Sequence, residues 1–273
     1  MARERILITV KTYPTLSRKY GETVCTAGVR EDGSWVRIYP VPFRRLEEEE
    51  QYRKYDWIEC DLIPSRKDAR PETHHPADVK SLVAAARMGT NDQWRERRQL
   101  LLGKCRVYHN TGQVIAGAKA NEISLALFKP AKVLDFFWEE EDREWDAGKV
   151  EQMRQLASQG ELFEEEQWRS NFKLIPKLPY SFSYRFEDET GKVSELQVLD
   201  WEVGALYWKC LQRAGGDEAV ALRKVKQKYF DEFTDTDLHF YLGTTQQWHA
   251  VALNPWVIIG VLPIPRETQP QLF

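Results

Sequence analysis

The feature that most constrains the fold is a turn signal, Asp32-Gly33, set between two runs of β-branched and apolar residues. An Asp-Gly pair is one of the strongest short-range signals for a β-hairpin, because a tight turn needs backbone angles that glycine adopts without strain. The sequence therefore predicts a hairpin with Val29 and Trp35 on its two arms. The preceding segment "RILITVK" has the same strand-like composition.

A further strand is predicted at "YDWIECDLI", where polar and apolar residues alternate. Successive side chains of a strand point to opposite faces, so Ile58, Cys60 and Leu62 share one side of it. Several short strands joined by tight turns are typical of a small barrel or a rolled sheet. We therefore expect a β-rich, barrel-like N-terminal part.

Three kinds of segment follow the predicted barrel. The proline-rich stretch "PSRKDARPETHHPAD" predicts a loop that contains His74 and His75. Helices are predicted at "DVKSLVAAARMG" and "TNDQWRERRQLLLGK", because each has a capping residue at its start and a glycine at its end. Residues 105–142 predict strands and turns, and the acidic stretch that follows them predicts a connecting helix.

The C-terminal part predicts a mixture of strands and helices. Thr190-Gly191 marks the turn of a hairpin whose first arm places four aromatic residues on one face, namely Tyr180, Phe182, Tyr184 and Phe186. Two helices and two further strands follow. The predicted fold class is α+β: a β-rich domain at residues 1–147, a helical connector with an α+β domain at 148–265, and a tail at 266–273.

Composition excludes several classes of protein. The 273 residues are 42% hydrophobic and 30% charged, which is typical of a globular protein rather than a disordered one. No apolar run approaches the roughly 18 residues of a membrane span, and the N-terminus lacks the apolar region of a signal peptide. We therefore expect a cytoplasmic protein without a membrane partner. The four cysteines are widely spaced, which indicates reduced thiols.

Charge is distributed unevenly along the chain. Residues 1–120 contain 22 Lys and Arg against 16 Asp and Glu, whereas residues 121–172 contain 6 against 13. A basic first part followed by an acidic middle favours an anionic partner on one side of the molecule.

The basic residues of the first part are interleaved with aromatic ones. Cations can meet phosphates while flat rings stack on bases, so this pattern predicts a nucleic-acid interface. Strand alternation on a half-exposed sheet would produce a similar pattern, and this alternative stays open. The predicted contacts are Lys11, Tyr13, Lys19, Trp35, Arg37, Tyr39, Arg44 and Arg70.

Acidic residues near the C-terminal hairpin allow a second hypothesis. Glu195 and Asp200 could hold Mg²⁺ or Mn²⁺, as a metal-dependent nuclease requires. The acid followed by Glu-x-Lys that many nucleases carry is absent, because Gln197 stands in place of the lysine. Asp200 also precedes a predicted helix, where an aspartate commonly caps the first turn. No phosphate-binding loop, dinucleotide fingerprint or nucleophile elbow is present, so the sequence leaves open whether the protein is an enzyme.

The chain ends in "QPQLF", which resembles the short motif by which bacterial DNA-processing proteins bind the β sliding clamp. The resemblance implies that Gln269 is the anchoring amide and that Leu272 and Phe273 are the apolar pair. Pro270 and Gln271 fill the variable positions. An alternative is that the last two residues pack on the surface of their own domain.

These observations support three functional hypotheses. The first is a DNA-associated protein that is recruited to the bacterial sliding clamp by its tail and acts in DNA repair, replication or defence against foreign DNA. The second is a metal-dependent nuclease that uses the C-terminal carboxylates. The third is a module that reads RNA or a modified base, with an incidental tail.

Overall fold

The fold is seen in a computed structural model that describes residues 3–17, 21–41, 43, 51–78, 81–158 and 175–266. It is α+β, with a closed barrel in the N-terminal part and a mixed sheet with helices in the C-terminal part, as the sequence predicts. In the described part of the chain, no helix is long and apolar enough to cross a membrane.

Five strands close the barrel. They follow the order β1, β3, β4, β6 and β5, and β5 pairs with β1 to complete the circle. Two short strands, β2 and β7, pair with β3 and β5 from outside this circle. The seven strands are β1 Arg3–Lys11, β2 Thr15–Ser17, β3 Gly21–Arg30, β4 Trp35–Val41, β5 Asp56–Pro64, β6 Thr73–Pro76 and β7 Val83–Arg87.

The predicted hairpin is confirmed. Val29 pairs with Trp35, and Gly33 has a φ of 90°, a left-handed value that favours glycine. Ile58, Cys60 and Leu62 of β5 all point into the barrel core, as their alternation predicts. The barrel is therefore formed by the residues that the sequence pattern indicates.

A seven-stranded mixed sheet forms the C-terminal part, in the order β10, β11, β12, β14, β13, β9, β8. The pairs β12–β14 and β8–β9 are parallel and the other pairs are antiparallel. Residues 107–140 thus pair with C-terminal strands and not with the barrel. The strands are β8 Val107–Tyr108, β9 Leu125–Phe128, β10 Lys132–Glu140, β11 Tyr180–Glu187, β12 Val193–Val198, β13 Asp237–Thr244 and β14 Trp256–Ile264.

Five helices accompany the two sheets in the described residues. Asn110, Asp200 and Asp217 each accept a hydrogen bond from a backbone N–H in the first turn of the helix that they cap. The helices are α1 Asn91–Arg97, which continues as a π-helical turn over Arg98–Leu102, α2 Thr111–Lys119, α3 Ala147–Ser158, α4 Trp201–Arg213, and α5 Glu218–Lys226, which continues as a π-helical turn over Gln227–Glu232.

Three local predictions are wrong. The segment predicted as the helix "DVKSLVAAARMG" contains strand β7, which pairs with the open edge of β5. The stretch around Thr111, predicted as strand and turn, is helix α2, because Asn110 supplies a cap that outweighs its two glycines. His74 and His75 lie in β6, which bridges β4 and β5 and so closes the barrel.

The two faces of the C-terminal sheet are covered differently. One face packs on α2, α4 and α5, and the four aromatic residues of β11 are buried in that core, as predicted. The other face packs on the barrel, where Leu7 and Val10 of β1 meet Tyr241 of β13 and Leu262 of β14. Barrel and sheet are therefore joined by a continuous apolar interface.

Candidate nucleic-acid interface

Arg37 lies inside the protein. Its side chain is 1% exposed, and its guanidinium donates hydrogen bonds to the Thr73 hydroxyl (3.2 Å), the Ser124 hydroxyl (2.5 Å) and the Ser124 carbonyl (2.8 Å). The Ser124 hydroxyl in turn donates to the carboxylate of Glu72. A phosphate cannot reach this guanidinium, so we assign Arg37 to the joint between the barrel and the C-terminal sheet.

Arg70 is also buried and paired. Its guanidinium binds the carboxylate of Asp68, with Nε 2.9 Å from Oδ1, and donates to the carbonyl of Thr244. The second bond crosses from the barrel to β13. Arg70 therefore has the same joining role as Arg37.

Tyr13, Tyr39 and Arg70 line one cleft of about 480 Å³ between the barrel and the sheet. The Tyr13 hydroxyl donates to the carbonyl of Pro176 (2.9 Å) and accepts from the indole of Trp208 (3.0 Å). The charged side chains in this wall are balanced between cations and carboxylates. We call this space the neutral cleft, because nothing in its lining favours an anion.

The remaining predicted contacts are dispersed. Trp35 packs edge-on against Tyr241 in the barrel–sheet interface, with ring centroids 6.0 Å apart. Lys19 and Arg44 lie outside the described residues, as do Gln269, Leu272 and Phe273 of the tail. Among the predicted contacts that the structure describes, Lys11 alone lines a basic cavity.

That cavity, of about 460 Å³, lies where the end of β1 meets the start of α4. We call it the basic–aromatic pocket. Four cations and one carboxylate line it, together with a tyrosine, two tryptophans and a phenylalanine. Its lining residues are Lys11, Arg53, Lys54, Tyr55, Arg87, Trp94, Trp201, Glu202, Phe233, Val261 and Pro263.

Lys11 is enclosed by aromatic rings. Its Nζ lies 4.2 Å from the centroid of Phe43, 5.1 Å from that of Trp201 and 5.9 Å from that of Tyr52, and it donates to the Tyr52 carbonyl (3.2 Å). Burial lowers the pKa of Lys11 to about 8, and the pull of nearby carboxylates, with Glu202 foremost, only partly offsets it. The amine is therefore partly deprotonated near neutral pH.

Lys54 lies in the same wall, but its pKa is shifted in the opposite direction from that of Lys11. Its Nζ lies 3.1 Å from Glu202 Oε2 and 3.6 Å from Asp200 Oδ2, and it donates to the Val261 carbonyl (3.0 Å). Burial alone would lower the pKa of Lys54, but these two carboxylates outweigh it and hold the pKa above its ordinary value. Lys54 thus stays a fixed ammonium group.

Strained backbone surrounds the pocket. Tyr55 has a φ of 70° and Trp94 a φ of 65°, and the two residues before Trp94 are also left-handed, with φ of 49° at Asp92 and 51° at Gln93. A left-handed conformation costs about 1–2 kcal/mol for a residue with a Cβ. Such strain clusters at functional sites, where it holds a side chain in a required position. Here it brings Tyr55 and Trp94 into the pocket wall.

A second basic cavity, of about 590 Å³, takes its lining partly from the same chain segments as this pocket. Arg98, Lys129, Lys132 and Arg266 line it with a single carboxylate, Asp237. Two short segments contribute to both cavities. Phe233 and Pro263 line the basic–aromatic pocket, whereas Thr234 and Arg266 line the second cavity. We call the two cavities together the basic track, and its described residues include eight cations and two carboxylates.

The predicted metal ligands lie apart in different environments. Glu195 is exposed on β12 and pairs with Arg185 at 2.5 Å. Asp200 is 1% exposed and caps α4 through a hydrogen bond from the Glu202 amide. In the part of the chain that the structure describes, no group of three or more His, Cys, Asp or Glu side chains could hold a metal ion. The helix-cap interpretation of Asp200 is confirmed.

These roles predict different costs for two substitutions. Asp200→Ala should lower the free energy of unfolding by about 1–2 kcal/mol, because α4 loses its cap. Glu195→Ala should change it by about 0–1 kcal/mol, because an exposed ion pair contributes little. Urea denaturation of both variants measures the difference, and equal costs would contradict the assigned roles.

Family comparisons divide the chain close to the boundary between its two sheets. The fold and cavities define an α+β protein with a basic, aromatic-lined surface. The chain belongs to the family described as "Domain of unknown function (DUF8757)", whose model matches residues 108–273. Residues 2–103 match a second model, described as "Domain of unknown function (DUF8758)". No curated protein matches the chain closely enough to count as a relative.

Most lining residues of the basic track were not predicted from the sequence. Arg53 precedes strand β5, Arg87 is the last residue of β7, and Arg266 lies more than a hundred residues from Lys129 in the sequence. One signal was present in the run "QWRERRQ", which supplies Trp94 and Arg98 to the two cavities. A basic segment that contains a tryptophan is a pattern that indicates part of a nucleic-acid interface.

Proposed function

We propose that the protein binds a nucleic-acid strand along the basic track. The observation that carries the proposal is that eight cations and only two carboxylates are found among the described residues that line the two cavities. Such an excess attracts a polyanion by releasing the counterions that surround its phosphates. Arg53, Arg87 and Lys132 are exposed, so their charges can meet phosphate without rearrangement of the core.

Aromatic rings favour a single strand over a duplex. Trp94, Trp201 and Phe233 line the same pocket as Arg53 and Arg87, so rings and cations occupy one wall. Unpaired bases stack on aromatic side chains while their phosphates follow a positive groove, and this combination is common to proteins that bind single strands. A duplex would keep its bases inside and leave these rings unused.

The salt dependence of strand binding tests the proposal. The triple variant Arg53→Gln, Arg87→Gln, Lys132→Gln should bind a single-stranded oligonucleotide roughly tenfold to a hundredfold more weakly, and its salt slope should fall by about two. The matched control replaces three exposed lysines outside the track, Lys119, Lys192 and Lys209, by glutamine. Equal losses in both triple variants, or an unchanged slope in the first, would contradict a specific track. DNA and RNA strands of one sequence should be compared, since a strong preference for RNA would favour an RNA-reading module.

A second proposal concerns recruitment. The tail resembles the clamp-binding motif, and the last described residue before it, Arg266, lies in the wall of the basic track. A clamp bound there would lie beside the strand that the track holds. We therefore propose a clamp-recruited DNA-binding protein of the bacterial cytoplasm that acts in DNA repair, replication or defence against foreign DNA.

A further inference from the structure

Two lysines line the basic–aromatic pocket, and their surroundings prepare them for different tasks. Lys54 is held by the carboxylates of Glu202 and Asp200 and by the Val261 carbonyl. Lys11 has no carboxylate within ion-pair distance among the described residues, and aromatic rings occupy that space instead. An amine in an apolar enclosure beside other cations is the common arrangement of a nucleophilic lysine.

The cavity in front of Lys11 also contains groups that suit a phosphate-bearing substrate. Arg53 and Arg87 are exposed in the same wall, and Trp94 and Trp201 supply flat surfaces. A sugar carbonyl flanked by phosphates would place its charged neighbours on the arginines and its carbon near the amine. The nucleic-acid lesion with this chemistry is a base-free deoxyribose, because its ring opens to an aldehyde.

We propose that Lys11 forms an imine with the aldehyde of a base-free deoxyribose in a bound DNA strand. The inference rests on the proposed strand binding and adds a reactive group to it. A base-free site has no base to fill the pocket. The space bordered by the rings of Trp94 and Trp201 is then free for the sugar. Lys11 would then recognise the lesion covalently, while the cations recognise the strand around it.

The reaction balances without an oxidant or reductant. The lone pair of the Lys11 amine attacks the aldehyde carbon, and the π electrons of the C=O bond move to oxygen, which takes up a proton. The nitrogen loses a proton, the hydroxyl oxygen takes up a second proton and leaves as water with the electrons of the C–O bond, and the nitrogen lone pair forms the C=N bond of a protonated imine. Glu202 lines the same cavity, and Lys54 lowers the pKa of Glu202, so an ionised carboxylate is available to accept the proton from nitrogen.

Borohydride trapping tests the proposal on the full chain. Reduction of an imine gives a stable secondary amine, so a single-stranded oligonucleotide with one base-free site should become covalently attached to the protein. Peptide mapping of the adduct should locate it on Lys11. Attachment at Lys54 or at scattered surface lysines would overturn the proposal. A strand whose base-free site is a tetrahydrofuran has no aldehyde and should give no adduct.

Variants separate the chemistry from the binding. Lys11→Arg keeps the positive charge but has no primary amine, so its trapping yield per bound strand should fall at least tenfold. Lys119→Arg, outside the track, should trap like the parent. A Lys11→Arg variant with undiminished trapping would refute the role of this amine. If Lys11→Arg fails to fold, the adduct map on the unaltered protein decides the question.

A small aldehyde distinguishes this proposal from strand binding. Pyridoxal phosphate carries an aldehyde and one phosphate, and with borohydride it should label Lys11 ahead of the other lysines. Labelling of Lys11 without strand binding would refute the proposed function but support the reactivity of the Lys11 amine. Strand binding with no labelling of Lys11 by either aldehyde would refute the proposed reactivity of Lys11 and leave the proposed function intact.

The trapping yield should also depend on pH. The charged groups that act on Lys11 are the carboxylates of Glu202, Asp56 and Asp200 and the guanidinium of Arg53, with burial as the largest influence. Since these hold the pKa of Lys11 near 8, the yield should rise between about pH 7 and pH 9 and then level off. A yield that rises only above about pH 10 would indicate an ordinary surface lysine.

Discussion

Replacing Arg37 by alanine is expected to lower the free energy of unfolding by about 3–5 kcal/mol, which is the range for removing one partner of a buried charged network. The guanidinium joins Thr73 of the barrel to Ser124 at the start of β9, and Ser124 also bonds Glu72. Removal would leave both the hydroxyl and the carbonyl oxygen of Ser124 without this donor. Chemical denaturation of the purified variant measures the cost.

The nearby Arg66 supplies the control, because it is exposed. Arg66→Ala should change stability by no more than about 0.5 kcal/mol. The folded fraction of Arg37→Ala should bind a single strand with unchanged affinity, since its guanidinium does not face the basic track. Normal stability combined with a loss of strand affinity would show that Arg37 contacts nucleic acid after all.

Local patterns were enough to predict the strands that have one buried face. Asp32-Gly33 fixed the hairpin turn, and the alternation through Ile58 fixed which side of β5 faces the barrel core. The cap at Asp200 was likewise predictable, because a helix start depends on residues within one turn. These features depend on neighbours in sequence, so the sequence alone is sufficient to find them.

Other features depend on partners that are distant in sequence. Strand β7 has an alanine-rich sequence that suits a helix, but the open edge of β5 offers its backbone hydrogen bonds. Helix α2 begins at a single good cap, which local glycines obscured. In both places the tertiary partner, or one side chain, outweighed the average propensity of the segment.

The basic–aromatic pocket was harder to predict than the fold because its residues come from six separate parts of the chain. Two residues of the basic and aromatic pattern near the N-terminus face the barrel–sheet interface: Arg37 is buried there, and Trp35 packs against its apolar cluster. Lys11 stayed in the pocket because β1 ends there. The partners of Lys11, including Arg87 and Trp201, meet it only after the barrel closes and docks on the sheet.

The tail gives the prediction with the largest expected effect on a partner. Its residues 267–273 lie outside the described part of the chain, so the prediction rests on the motif. An amide that fixes the register and two apolar side chains that fill a pocket would concentrate most of the binding energy in Leu272 and Phe273. The same concentration makes the motif easy to inactivate without disturbing the domains.

Deleting residues 269–273 should therefore abolish binding to the bacterial β sliding clamp, and Leu272→Ala with Phe273→Ala should have the same effect. Gln271→Ala, at a variable position of the motif, should leave clamp affinity within about threefold of the parent value, because alanine scanning finds most interface positions nearly neutral. Thermal stability should barely change on deletion if the tail is undocked. Strand affinity and its salt slope should also stay the same, because the deletion removes none of the residues that are described in the basic track. Clamp binding by the deletion variant, or a substantial loss of stability in it, would instead support a tail that packs on its own domain.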